Sequence, residues 1–118
     1  MAWEDRRGGA DFDIHSRWFD PSGAFSGGEV AVVFAAGDQR NPSLAVRSNG
    51  DVLVAWEDER SGSADVYFKR FDAFWNPVGT EVAASAENRD QDSPAVAFDA
   101  GGSFFVAWAD WRDGLPNV

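Results

Sequence analysis

The pattern richest in chemistry in this chain is Trp-x-Asp-x-Arg, which occurs as Trp3-Asp5-Arg7, Trp56-Asp58-Arg60 and Trp108-Asp110-Arg112. An indole N–H, a carboxylate and a guanidinium at alternate positions can do one of two things. They can present a ring of charged groups on one face, in which case Asp58, Arg60, Asp110 and Arg112 are binding candidates. They can also bond among themselves, the Asp capping its turn or pairing with the Arg while the Trp packs. Occurrence in every copy favours the structural use, with Trp3, Trp56 and Trp108 as its packing elements, because a scaffold meets the same packing problem each time. Aromatic residues that differ between copies are better candidates for binding. Trp18 stands where the next copy has Arg70, Trp75 where the previous copy has Gly23, Phe74 where it has Ser22, and Trp111 where it has Glu59. Indole faces stack on the apolar C–H surface of sugar rings while Asp, Asn and Arg bond the hydroxyls, so Trp18, Trp75 and Trp111 are candidates for a glycan ligand; the alternative, and the favoured one, is that they pack against loops or the next subunit.

Signals for catalysis and metal binding are weaker. The single histidine, His15, aligns with Tyr67 and is expected at a strand surface. No Gly-x-Ser-x-Gly elbow, metal-spaced histidine pair or phosphate loop is present. The 20 acidic residues offer many carboxylate pairs for glycoside hydrolysis, but near-equivalent repeats supply no unique asymmetric pocket. Asp11-Phe12-Asp13, Glu57-Asp58-Glu59 and Asp90-Gln91-Asp92 carry oxygen ligands without the spacing of a calcium loop. The reading is therefore of a non-enzymatic chain with no metal and no cofactor.

The elements that place these residues come from an internal repeat. Shifted by 52, residues 14–60 lie on 66–112 without a gap, with 16 of 47 positions identical. The identities include Phe19/Phe71, Asp20/Asp72, Gly27/Gly79, Glu29/Glu81, Asp38/Asp90, Gln39/Gln91 and Pro42/Pro94. Each unit reads as four short strands. In the complete one, Pro42–Arg47 and Asp51–Glu57 flank a tight Ser48-Asn49-Gly50-Asp51 hairpin. A third strand is expected near Ala64–Phe71 and a fourth near Thr80–Ala86, before a polar linker, Glu87–Asp92. The second strand is apolar on both faces, as for a strand covered on both sides. No stretch shows a helical period.

Composition agrees with an all-β chain: 44% hydrophobic, six Trp, ten Phe and twelve Gly in 118 residues. A net charge of −10 argues against nucleic acid or an anionic membrane surface as partner. No apolar run approaches the roughly 18 residues of a membrane span, so no membrane insertion is expected. Met1 leads straight into Ala2-Trp3-Glu4, which is not a signal peptide. Absence of Cys removes disulfide and thiolate chemistry.

Four strands in about 52 residues, repeated, are the signature of antiparallel β-propeller blades. Residues 1–118 form one two-blade segment: 1–41 a partial blade, 42–92 a complete one, and 93–118 a part completing the blade of a neighbour. Two blades would leave apolar faces open at Trp56, Phe104, Val106 and Trp108, so a ring closed by homo-oligomerisation is expected. Three copies would close six blades and four would close eight, and the trimer is favoured over the tetramer.

The stretches Asp65-Val66-Tyr67-Phe68-Lys69-Arg70-Phe71-Asp72, Asn76-Pro77-Val78-Gly79-Thr80-Glu81-Val82 and Gly101-Gly102-Ser103-Phe104-Phe105-Val106-Ala107-Trp108 carry a likeness over nearly the whole chain. They resemble the tandem "DIYAQRFD…GGFVVAW" repeats of large secreted bacterial proteins of RTX or adhesin type. The resemblance implies an extracellular, propeller-like binding or structural module, which the aromatic candidates above would make lectin-like. Those relatives carry many repeats where this chain has about two. Their calcium-binding nonapeptide is missing, so calcium does not carry over. The alternatives to a glycan-binding module are a purely structural scaffold repeat without ligand and, less favoured, a glycosidase-like enzyme.

Overall fold

The computed structural model describes residues 1–7, 9–33, 35–85 and 89–111, which hold nine strands and no helix. Strands β1 (Ala2–Asp5), β2 (Asp13–Ser16) and β3 (Val30–Val33) form one antiparallel sheet in that order. The second sheet runs β4 (Gln39–Val46), β5 (Val52–Asp58), β6 (Asp65–Phe71), β7 (Pro77–Ser85). The third pairs β8 (Gln91–Phe98) with β9 (Phe104–Asp110). The described residues are thus all-β, in antiparallel sheets of three, four and two strands.

The sheets stack face to face in chain order, β4 against β1 and β2, and β8 against β4, β5 and β6. Strand alternation assigns the faces of the middle sheet. Val52, Val54, Trp56 and Phe71 join Ile14, Val32 and Val33 of the first sheet in one core. On the opposite face Phe68 meets Phe104 edge-on at 5.4 Å and the Arg70 guanidinium lies over the same ring. β5 is consequently buried at all seven positions, as its two apolar faces require. Trp56 is fully buried, not exposed as a two-blade chain was expected to leave it, because the first sheet covers it. Phe104, Val106 and Trp108 are half-buried on the face of the third sheet that turns to the middle one.

Strand limits depart from the sequence reading where proline was taken as a boundary. β4 starts at Gln39, not Pro42, and β8 at Gln91, inside the expected linker. A bulge admits the proline: pairing runs Gln39↔Asp58 and Arg40↔Glu57, skips, and resumes at Ser43↔Ala55. Asn41, with φ 48°, and Ser93, with φ 55°, turn their N–H groups out of the ladder at these bulges. Each then reaches a carboxylate on the preceding sheet: Asn41 N donates to Glu4 Oε1 at 2.9 Å, and Ser93 N to Glu57 Oε1 at 2.8 Å. The third copy of this acceptor position is Ala109. β7 begins at Pro77, three residues early, because Asp72 closes its turn tightly by accepting from Phe74 N and Asn76 N, each at 2.9 Å. Ala86, the expected end of that strand, lies outside the described residues.

The crossover between sheets is fixed by the repeated Asp-Gln pair. Gln39 N donates to Phe12 O and Gln91 N to Ala64 O, both at 2.7 Å. Reciprocally, Phe12 N donates to Asp38 Oδ1 at 2.9 Å and Ala64 N to Asp90 Oδ1 at 3.2 Å. Glu59 N and Trp111 N bond the carbonyls of Asp38 and Asp90. The loops after the second strands and the crossovers therefore share one edge of the described structure.

Candidate functional site

The three-residue motif closes on itself. Asp58, fully buried, accepts from Trp56 Nε1 at 2.9 Å and from Arg60 N, Nε and Nη2 at 3.0, 2.8 and 2.6 Å. Arg60 Nη1 continues to Glu81 Oε1 at 2.8 Å, and its guanidinium lies over the Tyr67 ring, itself stacked near Trp56. Paired with Asp58 first and Glu81 second, the guanidinium has its pKa raised above its ordinary value. The first copy repeats this construction with Trp3, Asp5, Arg7 and Glu29, and with His15 in place of Tyr67. Bonding to the Arg7 side chain pulls the Asp5 carboxyl well below the usual carboxylate range. Glu29 and Glu81 were visible in the sequence only as a repeat identity; their role as second acceptor for the Arg was not read from it.

His15 is not at a surface. It is 6% exposed, stacked beside Trp3 with Nδ1 2.9 Å from Glu29 Oε1. Asp5, His15 and Glu29 bring potential ligand atoms within 4.8 Å of one another. Arg7 already bridges Asp5 and Glu29, so the centre of this group is held by a guanidinium and reads as an ion-pair network. In the acidic clusters, Asp58 is taken up by Arg60, Glu57 by Asn41 and Ser93, Asp11 by Gly37 N and Asp90 by Ala64 N.

A different feature carries the binding candidates: a cleft of about 310 Å³ between the first two sheets. It is lined by the end of β2 and the segment just beyond it, Ser16, Arg17 and Trp18, by Ser26, Gly27, Gly28 and Val30, and by the β6–β7 turn Ala73-Phe74-Trp75. Trp18 and Trp75 thus come from different repeats and face one space. Trp18 is 37% and Phe74 85% exposed, while Trp75 leans onto Phe71 at 5.1 Å between ring centroids. Arg17, whose guanidinium lies over Phe25, is the charged residue of the described lining. Arg17, Ser16 and Ser26 were not singled out in the sequence, where Arg17 reads only as the counterpart of Lys69.

Trp75 is held at φ 62°, a left-handed conformation costing an L-residue roughly 1–2 kcal/mol. The matching turn of the first repeat has Gly23 at φ 84°, where no such cost arises. A bulky side chain kept where the turn favours glycine is backbone strain of the kind that collects at binding sites.

Trp111 lies elsewhere, donating from Nε1 to Asp92 Oδ2 at 3.0 Å on the crossover edge. Asp110 is buried opposite Gln91. Arg112 lies outside the described residues. The structure therefore brings Trp18 and Trp75 together and leaves Trp111, Asp58, Arg60 and Asp110 outside the cleft. Comparison with protein-family models, curated proteins and solved structures gives no significant match to this chain.

Proposed function

We propose that this protein is a non-enzymatic carbohydrate-binding module built of β-propeller blades, with its ligand in the Trp18–Phe74–Trp75 cleft. The observation that carries the reading is the convergence of two copy-specific tryptophans, one held at a strained backbone angle, on one cleft. The indoles offer faces for the apolar side of a pyranose. Ser16 and Ser26 offer hydroxyls, and Arg17 a donor fork for hydroxyl or carboxylate oxygens. These groups bind and orient without supplying a paired acid and base. The stacked, repeated sheets support completion of the blades by further copies into a closed ring, a trimer of six blades in preference to a tetramer of eight. The likeness of its sequence to repeats of secreted bacterial proteins supports an extracellular setting for this module.

The competing reading, a structural repeat without ligand, is favoured by the closed bonding of the Trp-Asp-Arg motifs. Glycan-array screening followed by titration calorimetry separates the two. Binding of a hit should fall at least tenfold in Trp18→Ala and in Trp75→Ala and stay unchanged in Trp111→Ala. An array without hits, or hits indifferent to both cleft variants, would overturn the carbohydrate reading.

A further inference from the structure

Four hairpin turns among the described residues are built alike, starting at Asp20, Arg47, Asp72 and Asp99. In each, the N–H of the first residue reaches the carbonyl of the fifth, and the N–H of the fourth returns to the carbonyl of the first. The fourth place is left-handed every time: Gly23 at φ 84°, Gly50 at 94°, Trp75 at 62° and Gly102 at 91°. Three of the turns put glycine there, the residue without a Cβ to clash. The turn that lines the cleft puts a tryptophan there.

With glycine at the fourth place the turn forms even from Arg47, whose side chain has no acceptor to offer. The tryptophan turn is braced from two sides. Asp72 Oδ1 accepts from Phe74 N and Asn76 N, each at 2.9 Å, and its Oδ2 from Asn76 Nδ2 at 3.2 Å. These bonds, that of Asn76 N–H first, hold the carboxyl below its ordinary pKa, so it is ionised at neutral pH. From the other side Ala73 lies against the bare Cα of Gly50, where an added Cβ would come within 2.7 Å of its own. Asp72 itself is not among the residues lining the cleft.

We propose that Asp72 is the positioning residue of the cleft: its carboxylate, with Gly50 as a shelf under Ala73, holds Trp75 in the left-handed conformation that sets the indole in place before a ligand arrives. Relaxing to an ordinary negative φ would swing the Cα–Cβ bond and carry the indole off Phe71, on which it leans at 5.1 Å between ring centroids. A wall fixed in advance spares the ligand the cost of ordering it. This inference rests on the proposed carbohydrate reading of the cleft and adds how one wall of it is held.

The six tryptophans can be followed by fluorine NMR after labelling with 5-fluorotryptophan, and Trp75→Phe assigns the Trp75 line. Asp72→Ala should move or broaden that line and leave the others in place. Asp72→Asn, which keeps an oxygen for both backbone N–H groups, should return it to its wild-type position. Asp99→Ala removes the same kind of brace from a glycine turn, where Asp99 Oδ1 accepts from Ser103 N at 2.9 Å, and should leave the Trp75 line alone. Affinity for the tightest-binding oligosaccharide of a glycan array should follow the line. It should fall at least about fivefold in Asp72→Ala, through slower association, because fewer molecules are competent to bind. It should stay at the wild-type value in Asp72→Asn and Asp99→Ala. Should Asp72→Ala not fold, Asp72→Ser, with one weaker acceptor, should displace the same line by less. A Trp75 line unmoved in the folded variant, moved equally by Asp99→Ala, or moved without loss of affinity overturns the positioning role; the carbohydrate reading then stands if Trp75→Ala still weakens binding. A line that moves as expected while no oligosaccharide binds overturns the carbohydrate reading and leaves the bracing of Trp75 by Asp72 intact.

Discussion

Replacing Asp58 by Asn changes one oxygen into an amide and should be among the costliest isosteric changes in this protein. The carboxylate is fully buried, with Trp56 Nε1 and Arg60 Nη2 on Oδ2 and Arg60 N and Nε on Oδ1. Whichever way the amide turns, its NH2 meets two N–H donors. An orphaned buried donor costs about 1–3 kcal/mol, and breaking a buried ion pair about 3–5 kcal/mol. Arg60 keeps Glu81 and is a quarter exposed, which places the loss near the lower end, at about 3–4 kcal/mol. For a domain of this size each kcal/mol moves Tm by about 4 °C, so a fall of about 12–16 °C is expected. The assay is urea unfolding followed by tryptophan emission at one fixed protein concentration, since association would shift the midpoint. The midpoint should fall with the slope unchanged. Asp5→Asn should cost less, because Asp5 is partly exposed and its indole bond is 3.3 Å long. A loss at Asp58 below about 1 kcal/mol, or equal losses at both sites, would refute the claim that burial sets the strength of this network.

Trp75→Gly should abolish ligand binding yet leave a folded chain, since Gly23 makes the same turn in the first repeat; calorimetry and thermal melts together check this. Gly50→Ala should destabilise by about 2–4 kcal/mol, because the left-handed site is strained and a Cβ would sit 2.7 Å from Ala73 Cβ. Gly102→Ala, whose Cβ would meet the movable end of Arg47, should cost about half as much in the same unfolding assay. The carboxyls of Asp5, Asp38 and Asp72 are held low, chiefly by Arg7, by Phe12 N–H and by Asn76 N–H. Their stabilisation is complete above the unfolded carboxyl range and is lost as pH falls through their depressed values, so urea midpoints should drop steadily below about pH 4. Asp13 has the opposite sign: burial raises its pKa, so its ionised form costs stability at neutral pH. Asp13→Asn should therefore raise the urea midpoint relative to wild type more at pH 7 than at pH 3.

Most of the fold was legible because the repeat carries it. A shift of 52 fixed strand number and order, and two-sided apolarity marked β5 as central. Proline misled at Pro42 and Pro94, since a bulge with Asn41 or Ser93 at positive φ lets a strand pass through it, and nothing local announces that. The structural use of Trp56-Asp58-Arg60 was legible from its recurrence; its closure by Glu81 was not, because that contact joins β7 to the loop after β5. The cleft was half legible. Trp18 and Trp75 declare themselves by departing from their counterparts, but they are 57 residues apart and meet only because successive sheets stack. His15 was misplaced because a lone histidine at a tyrosine position gives no hint that Trp3 and Glu29 enclose it.

The bond from bulge to glutamate gives both joints between the described sheets the same clasp. Glu4 holds Asn41 and Glu57 holds Ser93, each carboxylate leaving its own ladder to grip the bulge of the sheet that follows. A proline that would otherwise weaken a strand thus frees the very N–H that fastens one sheet to the next, and each joint carries its own latch, so loosening one should leave the other shut.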